Sequence, residues 1–147
     1  MKQIGEVIEG RPLFHVDPTD TVRQVARTMS ERNIGCIAVI DDDGRLVGIF
    51  SERDVLTRIV AEGRNPDDTL VSNVMTKEII VADPSENVND ALQKMRDRNF
   101  RHLPVVKSGH LIGMISIRDL LQVDGETNRA RASFLNDLVT YSPDYES

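Results

Sequence analysis

The sequence contains a single cysteine, Cys36, among 147 residues. An internal disulfide is therefore excluded, as is a CxxC pair for redox exchange or zinc, and a reducing compartment fits best. No apolar run approaches the ~18 residues needed to cross a bilayer. The opening Met1-Lys2-Gln3-Ile4-Gly5-Glu6 lacks the apolar core of a signal peptide, so the expected location is the cytoplasm. Basic residues are outnumbered, 18 against 24 acidic, for a net charge of −6. The chain thus offers no general field for nucleic acid or anionic lipid, and any phosphate it binds must be held locally.

Other chemistries are also missing. There is no glycine-rich Walker loop and no GxGxxG. His15, His102 and His110 have no metal-ligand spacing, and Asp41-Asp42-Asp43-Gly44 lacks the EF-hand pattern and reads as a polar hairpin tip. Cys36 lies beside an apolar strand with no recognisable base, which points to burial rather than nucleophilic chemistry. With no nucleophile–base pair or metal cluster, the sequence reads as neither an enzyme nor a metalloprotein, and no cofactor is required of it.

What the chain does hold is ordinary globular material, 39% hydrophobic and 29% charged, arranged as a repeat. A shift of 66 positions superposes Pro18, Val22, Met29, Arg32, Asn33 and Val39 on Pro84, Val88, Met95, Arg98, Asn99 and Val105. At a shift of 65, Gly44, Leu46, Gly48, Ser51, Arg53, Asp54 and Leu56 fall on Gly109, Leu111, Gly113, Ser116, Arg118, Asp119 and Leu121. The slip falls in a turn, where length changes are tolerated.

Each unit reads as βαββα. In the first, residues 13–16 form a strand, Asp17-Pro18-Thr19 is a stop and helix cap, and Val22, Val25, Ala26 and Met29 recur on one helical face. Residues 37–40 and 46–50 are β-prone runs joined through Asp-Gly, and residues 51–61 form a second helix closed by Gly63. The second unit repeats this with a strand at 79–81, a helix face of Val88, Ala91, Leu92 and Met95, and a hairpin from 103–106 and 111–115. The methionine-bearing stripes are core. A unit of ~50 to 60 residues buries too little surface to be secure alone, so two such faces are expected to pack together. The chain divides into a first repeat with its N-terminal segment, 1–62, a linker, 63–72, a second repeat, 73–124, and a tail, 125–147. Phe134, Leu135, Leu138 and Val139 share one stripe of a tail helix, which could fold onto its own domain, meet a dimer mate or dock on another protein. The predicted fold is mixed α/β (α+β), two βαββα repeats packed with pseudo-twofold symmetry plus a C-terminal helix.

The most informative motif occurs twice, Gly48-Ile49-Phe50-Ser51-Glu52-Arg53-Asp54 and Gly113-Met114-Ile115-Ser116-Ile117-Arg118-Asp119. Each copy follows a buried strand and opens a helix. A purely structural reading is available, since Ser at the N-cap with a carboxylate at N3 makes a capping box and suits the helix dipole. The functional reading uses the same geometry. A carboxylate at a helix start accepts two hydrogen bonds from a ribose diol, while the hydroxyl and free backbone N–H groups meet a phosphate. A glycine one turn earlier leaves room for the ligand.

The chain resembles a tandem pair of CBS domains, the Bateman module. In the first repeat the likeness is carried by Val22-x-x-Val25-Ala26-x-x-Met29-x-x-x-Asn33-Ile34-Gly35, Ala38-Val39-Ile40-Asp41, Gly44-Arg45-Leu46-Val47-Gly48-Ile49 and Ser51-x-x-Asp54. In the second it is carried by Asn99-Phe100-Arg101-His102-Leu103-Pro104-Val105-Val106 and Gly113-Met114-Ile115-Ser116-x-x-Asp119, with Val74-Met75-Thr76 similar to the stretch that introduces a second repeat. The resemblance covers residues 3–124.

This resemblance implies a non-enzymatic module that binds adenosine-containing ligands (AMP, ADP, ATP, NAD or S-adenosylmethionine) and reports occupancy by changing shape. By position, Asp54 and Asp119 would hold ribose hydroxyls, with Ser51 and Ser116 near ribose or phosphate. Thr76 and Ile80 would lie along the nucleoside. Arg101 and His102 would supply basic phosphate contacts, and their counterparts Gly35 and Cys36 make the two clefts unequal. Arg53, Arg118 and Lys77 are further phosphate candidates; a solvated edge pair or a surface ion pair is the plain alternative for the charged groups. The expectation is a homodimeric energy or redox-state sensor that takes a phosphorylated adenine nucleotide and acts in trans on an unidentified protein target. The alternatives are a ligand-free interaction scaffold and an S-adenosylmethionine sensor.

Overall fold

The computed structural model describes residues 2–123. The tail helix anticipated over Phe134, Leu135, Leu138 and Val139 lies outside them. A short helix α1 (Ile4–Ile8) precedes the first unit: β1 (His15–Val16), α2 (Val22–Arg32), β2 (Cys36–Ile40), β3 (Leu46–Ser51) and α3 (Glu52–Asp54). Helix α3 continues as a π-helical segment, Val55–Val60, where the sequence led us to expect a plain helix. After a 3-10 turn, Val71–Asn73, the second unit comprises α4 (Val88–Arg98), β4 (His102–Lys107), β5 (His110–Ser116) and α5 (Ile117–Val123).

The paired residues of the repeat have matching structural roles. Helix α2 begins at Thr21, two residues beyond the expected cap, in a capping box with Gln24; α4 begins at Asn87, whose side chain accepts from the Asp90 amide. Both helices end at an asparagine in the left-handed region, Asn33 at φ 55° and Asn99 at φ 57°, the C-terminal stop that a short polar side chain tolerates. Val22, Val25 and Met29 of α2, and Val88, Ala91 and Met95 of α4, are buried. Strands β2 and β3 pair antiparallel with a register shift at Val39/Ile40, and β4 and β5 with the corresponding shift at Val105/Val106.

The first strand differs between the units. β1 runs parallel to β2, pairing His15 with Ala38 and Val16 with Val39. In the second unit the strand expected at 79–81 is reduced to one parallel bridge, Ala82 to Val105. The proline at position 104 stands where Ala38 stands in the first unit. It has no amide hydrogen, so the ladder cannot be extended past Ala82.

Two hydrophobic cores result, and each is completed by a chain segment from outside its own unit. Ile4 and Ile8 of α1, which precede the first unit in sequence, are buried in the second core with Met95, Leu103, Val105, Ile115 and Leu120. Val71, Val74 and Met75, at the entry to the second unit, are buried in the first core with Val25, Ile37, Val39 and Phe50. The backbone bonds are equivalent: Ile4 N–H donates to Glu86 O (2.8 Å) and Val71 N–H donates to Asp20 O (2.9 Å). The units are thus laced together by exchanged segments.

Candidate functional site

Both copies of the Ser-x-Arg-Asp motif fold as capping boxes. At the β3–α3 junction the Ser51 amide donates to Asp54 Oδ2 (2.9 Å), the Ser51 hydroxyl lies 3.1 Å from the same oxygen, and the Asp54 amide donates to Ser51 Oγ (3.2 Å). At the β5–α5 junction the Ser116 amide donates to Asp119 Oδ2 (2.9 Å) and the Asp119 amide to Ser116 Oγ (3.1 Å). Each carboxylate is thereby fixed at a helix start.

The surroundings of the two carboxylates differ. Asp54 is buried, and its Oδ1 faces Arg58 Nε at 3.4 Å and the Thr76 hydroxyl at 3.5 Å. The Arg58 guanidinium also donates to Val74 O (2.9 Å) and Met75 O (3.0 Å), tying the π-helical segment to the segment that enters the second unit. Arg58 and Thr76 line an open cleft of about 400 Å³ together with Asn73, Met75, Lys77 and Glu78. Thr76 is held there by a two-way backbone bridge with Ile49.

Asp119 lies beside Arg11, which follows α1; Arg11 Nη1 is 2.9 Å from Asp119 Oδ2. Burial opposes ionisation of Asp119, but the hydrogen bonds from Arg11 and Ser116 and the Arg11 charge outweigh it and hold the carboxyl below its ordinary value. His102 pairs with Ser116 across the β4–β5 ladder. Burial pushes its imidazole down to about 4, with Asp119 opposing and Arg101 reinforcing that shift, so His102 is neutral at pH 7. In the first unit Cys36 pairs with Ser51 in the same register. Burial and the Asp54 charge push its thiol up to about 12. The Gly35 carbonyl accepts from Glu52 N–H (3.0 Å) as the Arg101 carbonyl accepts from Ile117 N–H (2.9 Å). Gly35 and Cys36 are therefore the positional equivalents of Arg101 and His102, one pair per unit.

Of the residues singled out in the sequence, Ser51, Asp54 and Thr76 come together, and Thr76 shares the lining of the cleft with Lys77. Ser116, Asp119 and His102 form the second group. Arg53 and Arg118 are exposed, and Ile80 packs against the second core. Glycine acts otherwise than expected. A Cβ on Gly48 would collide with Met75, and one on Gly113 would stand 2.7 Å from Ile8 Cδ1. These two glycines admit the exchanged segments, not a ligand. Sequence reasoning missed Arg58, legible as the i+4 partner of Asp54, and Arg11, which no local signal marks. Among the described residues no group of three or more His, Cys, Asp or Glu side chains could hold a metal ion, and no helix is long and apolar enough to cross a membrane.

The duplicated architecture has many counterparts. The chain is 34% identical over 122 residues to an uncharacterized protein of Methanopyrus kandleri, covering 82% of this chain and 62% of that relative. It is 34% identical over 143 residues to the mitochondrial CBS domain-containing protein CBSX3 of Arabidopsis thaliana, covering 95% of this chain and 69% of that one. The chain therefore spans about two thirds of the length of these relatives. Among solved structures, a CBS domain protein from Pyrobaculum aerophilum complexed with AMP superposes with a TM-score of 0.75 at 30% identity, covering 94% of this chain and 98% of that one. The family model described as CBS domain matches twice, at residues 4–61 and 71–126, so the chain belongs to the CBS domain family and carries a pair of its repeats.

Proposed function

We propose that this CBS pair is a non-catalytic regulatory module that binds an adenine nucleotide, of the AMP, ADP, ATP or NAD type, against Asp54 and Asp119. The observation that carries the reading is the duplicated carboxylate, presented in both units by the same Ser-capped helix start. At the first unit it adjoins an open cleft to which Arg58 and Lys77 bring two positive charges against the one negative charge of Glu78, a balance suited to a phosphorylated ligand over a cationic one such as S-adenosylmethionine. The AMP complex of the Pyrobaculum aerophilum protein supports the ligand class. Occupancy would be felt between the units, because Thr76, which faces Asp54, lies on the segment that enters the second unit and Arg11, which faces Asp119, lies on the segment that enters the first. We take the assembled state to be a cytoplasmic homodimer that acts on a protein target. Leu56 and Val60, one turn apart and 57% and 66% exposed, are apolar surface available to such contacts.

Isothermal titration with AMP, ATP, NAD and S-adenosylmethionine tests the ligand, with heat expected from phosphorylated adenosines and least from S-adenosylmethionine. Silence from all four would favour a ligand-free scaffold. That second reading has its own support, since each aspartate already completes a helix cap.

A further inference from the structure

We propose that Arg11 determines ligand specificity at the second-unit position: it holds Asp119 in the empty protein and passes to a ligand phosphate when a ribose takes the carboxylate. The inference rests on the nucleotide reading above and assigns a role to a residue outside both motifs. Asp119 Oδ2 already accepts from the Ser116 amide and from Arg11 Nη1, each at 2.9 Å. A cis-diol bonds a carboxylate best through both oxygens, and a diol arriving at Asp119 competes with Arg11 for Oδ2.

Arg11 is delivered to this spot by the fold. Ile8 is seated in the notch over Gly113, three residues before Ser116. Gly10 turns the chain at φ +79°, and the Arg11 amide donates to Ile8 O (3.1 Å); from this turn the side chain reaches Asp119 in the first turn of α5. The side chain is 42% exposed, so the guanidinium has room to swing off Asp119. Its charge then calls for another anion, and its planar fork of donors suits phosphate. AMP brings a phosphate; adenosine brings no anion at all. The first unit makes a weaker demand, because Arg58 stands at 3.4 Å from Asp54 Oδ1, against 2.9 Å for Arg11 on Asp119, and has other partners. There the corresponding segment presents the neutral Thr76 hydroxyl at 3.5 Å, and Arg58 is tied to two carbonyls of the chain.

The test is titration of AMP and of adenosine into the full chain carrying Asp54→Asn, which silences the first position, with Arg11 intact, as Arg11→Ala and as Arg11→Lys. The AMP-to-adenosine affinity ratio is expected to fall at least tenfold in Arg11→Ala, with adenosine binding tighter to the freed carboxylate, and to recover in part in Arg11→Lys. In the reciprocal Asp119→Asn background, Arg11→Ala should leave the ratio unmoved. That arm needs no silenced first site, and a drop there too would overturn the assignment to Asp119. If the unaltered chain binds neither compound, the nucleotide reading fails and this inference with it. If the unaltered chain binds AMP and Arg11→Ala leaves the ratio unchanged in the Asp54→Asn background, this inference alone is overturned.

Discussion

Ile8 fills the notch that Gly113 leaves in β5, so close that a Cβ on Gly113 would stand 2.7 Å from Ile8 Cδ1. This contact fixes α1 to the second core, and Gly113→Ala is expected to destabilise the protein by about 1–3 kcal/mol through overpacking. Ile8→Ala should cost about 2–5 kcal/mol by leaving a cavity. Because the new methyl would occupy the space that Ile8→Ala vacates, the double variant should be more stable than the sum of the two effects implies. Urea unfolding of the four proteins checks this, and strict additivity would show that the two residues do not share one space.

Removing either carboxylate should separate the two positions. Asp54→Ala and Asp119→Ala are each expected to weaken nucleotide binding at one position by about 1–3 kcal/mol, the worth of a hydrogen bond to a charged group. Each should also lower stability by about 0.5–2 kcal/mol from the lost cap. Titration alongside thermal unfolding distinguishes the effects: variants that lose stability and retain full binding would mark the aspartates as caps alone.

The parts of this molecule legible in the sequence are those decided locally. Helices α2 and α4 could be read from their apolar spacing, and the hairpins from runs flanking a glycine turn, because a face that must be buried imposes its period on the residues. The Ser51–Asp54 and Ser116–Asp119 boxes were visible for the same reason, since both partners lie within one turn of helix. Contacts between segments far apart in the chain were not visible. Met75 over Gly48, Ile8 over Gly113 and Arg11 on Asp119 all depend on the segment exchange between units, which leaves no periodic trace. The strand expected at 79–81 failed because its partner carries Pro104 where the first unit has Ala38, a constraint lodged in the neighbouring strand.

Cys36 should be inert in the folded protein. It is buried, and a thiol pushed up to about 12 carries almost no thiolate at pH 8. An aromatic disulfide reagent should label it no faster than the structure opens, and rapidly in guanidinium. Prompt labelling of the native protein would place Cys36 at an accessible position and contradict its pairing with Ser51 inside the first sheet.

His102 should make stability fall with acidity. Its folded value is depressed to about 4 from the ordinary 6.5, so between those limits the unfolded chain binds a proton that the folded chain does not. Stability from this group is complete above about pH 6.5, declines as the pH falls toward 4 and levels off below it; a shift of this size corresponds to on the order of 3 kcal/mol. Asp119 acts lower down: its depressed carboxyl contributes stability that is complete above the ordinary carboxylate value of about 3.9 and is lost as the pH falls through its lower folded value. The His102 contribution can therefore be read between pH 4.5 and 7, where Asp119 stays ionised. Urea midpoints across that range should slope upward with pH in the parent protein and flatten in His102→Gln. A parent profile already flat over that interval would mean that the imidazole is solvated and free to take its proton in the folded state.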